Sequence, residues 1–235
     1  SYGQAEPVAA AEAAKQGSGW VAIYADGSSL TSAYTNSTPP EINASCPLTG
    51  GLTSWPTLPA WTGNYSNGYA SFWVFIYYES SGPGVMYILT EGSTATLIGT
   101  ITGASCVPTN YASFVGLGAG VLDSPSIATS LLSDPTVAGY VTAHPSASSG
   151  FGVFSGLAYH GESTGPAWYI LFTTCTPGGG GTGENLTAVA NGTTGAVTYA
   201  ATASGSCGPT ALGHVEAGGG TVSDRSLVPL EMRRP

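Results

Sequence analysis

Short apolar runs separated by turn residues dominate the hydrophobic pattern of the chain. The most prominent run, FWVFIYY at residues 72–78, is apolar or aromatic throughout. A run without alternation is typical of a strand covered on both faces, and this one is too short to cross a membrane. Further strands are predicted at 85–90 and 94–102, with glycine-containing turns between them. The pattern therefore predicts a three-stranded antiparallel meander that ends near Cys106.

A second meander of the same design follows later in the chain. Its strands are predicted at 167–175, 185–190 and 196–204, with an Asn-Gly turn signal before the last one. The motif Ser-Cys-x-Pro-Thr closes both meanders, at 105–109 and 206–210. The shared order of elements favours an internal duplication. The alternative is chance similarity, because the motif is short and the chain is rich in Ser, Thr and Gly.

The segments before the two meanders also resemble each other. A short helix, a Ser/Gly loop and a strand are predicted in each half, with helices at 6–16 and 136–144 and strands at 20–25 and 151–159. The cysteine spacings of the two halves do not agree. A duplication therefore requires an insertion in the first half, most simply before Tyr69.

The predicted fold class is mainly β: an antiparallel β-sandwich-like fold with two or three short helices, one of them at 126–132. The chain would divide into a first β lobe at 1–110, a second β lobe at 111–216, and a glycine linker with a C-terminal tail at 217–235. A single continuous domain is the alternative, since 235 residues suit either arrangement.

Charged residues are scarce. They make up 7% of the chain, against about 25% in an average soluble domain. The formal net charge is −9, and the strong bases are Lys15, Arg225, Arg233 and Arg234. Such a surface does not attract phosphates, so nucleic-acid binding is not expected. Low charge density reduces repulsion between copies and favours self-association.

The cysteines and glycosylation sequons point to an oxidising compartment. An even number of cysteines favours two disulfides, and the positions favour Cys46–Cys106 and Cys175–Cys207 among the three connectivities that four cysteines allow. Asn-x-Ser/Thr sequons stand at Asn36, Asn43, Asn64, Asn185 and Asn191. Together these features predict a secreted glycoprotein, extracellular or at the cell surface. No apolar stretch is long enough for a membrane span.

A group of aromatic residues offers a candidate glycan-binding surface. Trp55, Trp61 and Tyr65 lie close together in a polar stretch, followed by Tyr69. Their ring faces could stack on pyranose rings. The competing interpretation is that Trp55 and Trp61 cover an open edge of the sandwich.

Candidate metal and catalytic residues are few. His160 with Glu162, and His214 with Glu216, each place an imidazole and a carboxylate two residues apart, and their convergence could hold zinc or copper. The simpler interpretation places both pairs in surface turns, so neither a metal site nor a cofactor is predicted. For paired-carboxylate hydrolysis, Glu79 and Glu91 are the candidates by context. No catalytic residue is assigned.

These observations favour a structural function over an enzymatic one. We expect a secreted protein that self-associates into an extracellular filament or surface assembly, with copies of itself as partners. A secreted carbohydrate-binding module and an acid-tolerant hydrolase are the alternatives. A binding module needs an exposed aromatic strip and an enzyme needs a cleft with converging acids or histidines, whereas a structural subunit needs only surfaces that associate.

Overall fold

The computed structural model describes residues 11–15, 17–27, 46, 49–51, 67–70, 72–107, 116–117, 120–154, 165–175 and 181–207. The strands are β1 (Val21–Gly27), β2 (Trp73–Glu79), β3 (Gly84–Glu91), β4 (Thr94–Thr102), β5 (Ser148–Phe154), β6 (Ala167–Thr173), β7 (Thr182–Asn191) and β8 (Val197–Ser206). The helices are α1 (Ser124–Leu132) and α2 (Pro135–Ala143), and a helical turn at 11–14 precedes β1.

The eight strands form one antiparallel sheet in the order β4-β3-β2-β1-β5-β6-β7-β8. Each half of the chain builds a meander that runs outward from the centre, so β4 and β8 are the outermost strands. The two halves meet where β1 pairs with β5. The prediction of a mainly β, antiparallel fold with a few short helices is therefore confirmed.

The two halves have the same order of strands, because each begins with a strand at the centre of the sheet and adds three more outward. Val74 of β2 pairs with Asp26 of β1, and Tyr169 of β6 pairs in the same way with Gly152 of β5. Asp26 and Gly152 in turn pair with each other at the centre of the sheet. The two halves thus meet through β1 and β5, the first strand of each half.

The connection between β1 and β2 is much longer than the connection at the same place in the second half. The connection there comprises residues 28–72, whereas β5 and β6 are joined by residues 155–166 alone. Cys46 falls within the longer connection, but Cys175 follows β6 directly. These two cysteines are therefore not equivalent, and this is why the cysteine spacings of the two halves disagree.

Both faces of the sheet carry buried apolar residues, which gives the fold its layered, sandwich-like character. On one face, side chains of both halves pack beneath α1, α2 and the helical turn at 11–14. Trp73 and Trp168 meet there edge to face, with ring centroids 6.1 Å apart. On the other face, a second cluster covers the first meander and includes Val74, Ile76 and Tyr87. Burial of β2 on both faces accounts for its uninterrupted apolar sequence.

The helices begin where their capping residues predict. Asp134 accepts hydrogen bonds from the backbone N–H groups of Thr136 and Val137, at 2.9 and 3.1 Å, and Pro135 occupies the first turn of α2. Asp123 caps α1 in a similar position, also with a proline after it. Each of these helices thus begins after a capping Asp and has a proline in its first turn.

Candidate functional site

Both predicted disulfides, Cys46–Cys106 and Cys175–Cys207, are present, each with a Cα–Cα distance of 5.4 Å. Each bond fixes the chain just after an outermost strand, because Cys106 follows β4 and Cys207 follows β8. The partners differ: Cys46 belongs to the connection between β1 and β2, and Cys175 to the end of β6. The two outer edges of the sheet are consequently built differently.

The outer edge of β4 is covered in its central part. Thr49 and Thr100 exchange two backbone hydrogen bonds, at 2.9 and 2.8 Å, and the Thr49 hydroxyl donates a third to the Thr100 carbonyl at 3.0 Å. Gly51 lies so close to the Ile98 carbonyl that a Cβ at this position would clash with it. The segment 49–51, which we call the strap, therefore occupies this edge, and the Cys46–Cys106 disulfide anchors it nearby.

No segment that the structure describes covers the outer edge of β8 along its second half. Residues 202–205 are exposed, and a Cβ built at Gly205 would meet no atom within 4 Å. Beyond the strand, the Cys207 N–H donates to the Gly181 carbonyl at 2.7 Å. Because antiparallel pairing alternates, Gly205 and Ala203 also direct their backbone groups toward β7, whereas Ser204 and Thr202 direct theirs outward.

The sequence of β8 lacks the residue types that usually protect an exposed strand edge from pairing with another chain. Natural sheets commonly protect an exposed edge with charged residues, especially lysine, with proline or with a covering segment. The strand VTYAATASGS contains neither a charged residue nor a proline. Segment 202–205 of β8, which we call the open edge, is therefore a candidate interaction surface.

A polar cluster ties α2 to β7. His144 ends α2, and its Nε2 lies 3.1 Å from Oε2 of Glu184 in β7. The Tyr140 hydroxyl donates to the Glu184 backbone carbonyl at 2.6 Å, and its ring centroid is 4.6 Å from that of His144. Thr174 completes the cluster, because its hydroxyl accepts a hydrogen bond from the Glu184 N–H at 2.8 Å.

The electrostatics of this cluster favour an anchoring role. Burial, with a further contribution from the Glu184 carboxylate, raises the pKa of Tyr140 to about 12. The phenol therefore stays protonated at neutral pH and keeps donating its hydrogen bond to the Glu184 carbonyl. The polar groups of the cluster satisfy one another and hold α2 on the sheet. Within the described ranges, no three His, Cys, Asp or Glu side chains come together to hold a metal ion.

The single lysine of the chain also makes contacts that stabilise the fold. Lys15 forms an ion pair with Glu12, donates to the Trp20 carbonyl at 3.3 Å and lies 5.9 Å from the centroid of the Tyr77 ring. Burial raises the pKa of Tyr77, and the nearby Glu12 carboxylate adds to the effect. This group fastens the helical turn at 11–14 to the sheet.

Two of the five sequons fall on described residues, and they differ in accessibility. Asn185 and Thr187, which belong to one sequon, are both buried in β7, with exposures of 9% and 1%. A folded chain would offer no room for a glycan at that asparagine. Asn191 is the last residue of β7, and its Oδ1 accepts hydrogen bonds from the N–H groups of Thr193 and Thr194 in the following turn, both at 2.9 Å. Asn36, Asn43 and Asn64 lie outside the described residues.

Most other predicted site residues also lie outside the described ranges. They are the glycan-stacking candidates Trp55, Trp61 and Tyr65, and the metal candidates His160, Glu162, His214 and Glu216. Tyr69, the neighbour of the aromatic group, is described and is 40% exposed.

The structure does not bring the two candidate acids together. Glu79 pairs with Gly84 at the turn end of the β2–β3 hairpin, while Glu91 pairs with Thr94 at the other end of β3. At about 3.3 Å per residue, these positions are roughly 23 Å apart along the hairpin. The two carboxylates therefore do not face each other across a cleft.

Sequence reasoning missed the open edge and the α2–β7 cluster. The signal for the open edge was present as an uncharged, proline-free strand before the last cysteine, but only the sheet order shows that this strand is outermost. His144 and Glu184 are 40 residues apart in the chain. No pattern of residue spacing in the sequence indicates that these two side chains meet.

Three observations bear on how this chain can be classified. No helix among the described residues is long and apolar enough to cross a membrane. No protein-family model, no curated protein and no solved structure matches this chain. Two disulfides are compatible with a secreted protein, because such bonds persist mainly in oxidising compartments.

Proposed function

We propose that this protein is a secreted structural protein that self-associates into an extracellular filament or surface assembly. The observation that carries the proposal is the open edge at 202–205. It combines outward-facing backbone groups with exposed side chains that carry no charge. An edge of this kind is a template for pairing with another chain.

The composition of the chain supports the same function. With 7% charged residues, neighbouring copies experience little electrostatic repulsion at close contact. The net charge of −9 is spread over 235 residues, and β8 itself contributes none of it. Disulfides near both outer strands would keep a persistent assembly intact outside the cell.

Electron microscopy and light scattering of the full chain test this function. The protein would be produced by a secretory route that forms both disulfides, then examined over a concentration series from dilute to near-saturated. We expect particles larger than the 23.5 kDa monomer, with the average mass rising with concentration. Because a low-charge surface gains little from ionic contacts, we also expect association to persist at high salt.

A monodisperse monomer at all concentrations would contradict the proposal and favour the carbohydrate-binding alternative. One described residue supports that alternative: Tyr69, which exposes 40% of its surface next to the stretch that contains Trp55 and Trp61. A glycan array comparing the natural chain with a Tyr69→Ala variant would then be the deciding measurement.

A further inference from the structure

We infer that the open edge of β8 pairs with the same edge of a second copy, antiparallel and around a two-fold axis. The product would be a dimer with one continuous sheet running through both copies. This inference rests on the proposed function, because it specifies the contact through which self-association begins. Extension beyond the dimer would then use a different surface.

The first argument is the direction of the backbone groups. Thr202 and Ser204 turn their N–H and C=O groups away from β7, so an added strand would find donors and acceptors at alternating positions. Among the described residues, no backbone group outside β7 bonds to these two. The exposure of residues 202–205 shows that their side chains are also uncovered.

The second argument concerns the choice of partner strand. A head-to-tail polymer would require β8 of one copy to pair with β4 of the next. The strap occupies the centre of β4, where the N–H and C=O groups of Thr49 already bond to the backbone of Thr100. Residues 98–101 of β4 are buried as well. A strand added along the length of β4 would therefore meet the strap, whereas no described segment bonds to the outward backbone groups of Thr202 and Ser204 in β8. This difference favours the symmetric pairing of β8 with β8 of another copy.

The third argument is chemical compatibility of β8 with itself. Symmetric pairing places identical residues opposite or near one another, so a charged strand would repel its copy. Segment 202–205 is Thr-Ala-Ser-Gly, whose small uncharged side chains avoid this repulsion. The molecule already contains a similar junction, because β1 and β5, which occupy corresponding positions in the two halves, pair antiparallel at its centre.

Hydrogen exchange of individual backbone amides tests the geometry directly. In dilute monomer, we expect the Thr202 and Ser204 amides to exchange rapidly and the Ala203 and Gly205 amides to be protected by β7. In concentrated, associated protein, the Thr202 and Ser204 amides should become at least about tenfold slower, since one lost hydrogen bond corresponds to about that factor. The amides of Ala203 and Gly205 serve as internal controls.

Two substitutions test the same contact by light scattering. Ser204→Pro removes an outward N–H without removing a bond to β7, and Ala203→Lys places like charges near each other across the axis. Each should weaken dimerisation by about tenfold or more. The matched control is Thr96→Lys, which adds the same charge to an exposed position of strapped β4 and should leave dimerisation unchanged. Circular dichroism verifies that each variant folds.

The outcomes separate this inference from the proposed function. Association that survives both β8 substitutions, or leaves the Thr202 and Ser204 amides in fast exchange, would overturn the β8 contact but leave the structural function in place. Protection of those amides already in dilute monomer would mean that another segment of the same chain occupies the edge, and would also overturn it. Absence of association under all conditions would overturn both.

Discussion

Gly183 and Gly205 lie opposite each other in β7 and β8, but only Gly205 has room for a side chain. A Cβ at Gly183 would lie 2.5 Å from the sulfur of Cys175 and 2.6 Å from that of Cys207. The Cys175–Cys207 disulfide therefore packs directly on the backbone of β7. At Gly205 a Cβ would meet nothing within 4 Å.

We predict that Gly183→Ala lowers the free energy of unfolding by about 1–3 kcal/mol, because the new methyl group must displace a disulfide that cannot move far. Gly205→Ala is the matched control, and its effect should stay within about 0.5 kcal/mol. Denaturant unfolding of the oxidised, monomeric proteins measures both. Equal stabilities of the two variants would contradict the packing described for Gly183.

At the scale of the elements, α2 is held on the sheet by both apolar and polar contacts. Val137 and Tyr140 are buried in the core beneath the helix. The Tyr140 hydroxyl adds a hydrogen bond to Glu184 of β7, and His144 at the helix end adds a contact to the Glu184 carboxylate. The raised pKa of Tyr140 makes part of this attachment dependent on pH.

We predict that stability falls between pH 10 and pH 12 partly through Tyr140. Below pH 10 its phenol is protonated in both states, so its contribution is fully present. Above pH 10 the unfolded chain loses the proton, while the folded chain keeps it until about pH 12. Stability therefore decreases as the pH rises through this window.

The Tyr140→Phe variant isolates this effect. It should lose about 1 kcal/mol at pH 7 through the missing hydrogen bond, and its stability should decline less steeply than that of the natural chain between pH 10 and pH 12. Contributions from groups that the two proteins share cancel in the difference. Parallel stability curves across this window would show that Tyr140 does not titrate as the structure requires.

At the scale of the whole molecule, the two halves share one core. The apolar cluster beneath the helices includes Trp73 and Met86 from the first half and Trp168 and Phe172 from the second. The sheet is also continuous across the join, through β1 and β5. Neither half can unfold without exposing apolar surface of the other.

We predict that the monomeric, oxidised protein unfolds in one cooperative transition. Tryptophan fluorescence reports on the join, where Trp73 and Trp168 are in contact, and far-ultraviolet circular dichroism reports on all strands. The two denaturant curves should coincide, as they do when no intermediate is populated. A first step seen by one probe alone would indicate that the halves unfold independently.

The sequence by itself determined the local elements of this protein. The apolar run at 72–78 predicted a strand covered on both faces, and the helix predicted at 136–144 matches α2 to within one residue at each end. The cysteine positions predicted both disulfides. The strand and helix signals succeed because they depend on neighbouring residues: a strand's periodicity, a cap's hydrogen bonds and a turn's allowed backbone angles are all local properties. The disulfides are not local, and their prediction depended on the even number and the positions of the cysteines.

Only the tertiary structure decided how these elements meet. The pairing of β1 with β5 and the strap on β4 bring together residues that are distant in the chain. The exposure of the β8 edge likewise depends on which strands lie beside it. The burial of Asn185 and the contact between His144 and Glu184 have the same origin. Strand order and edge exposure follow from packing between distant segments. A local sequence pattern does not indicate which segment a strand will pair with.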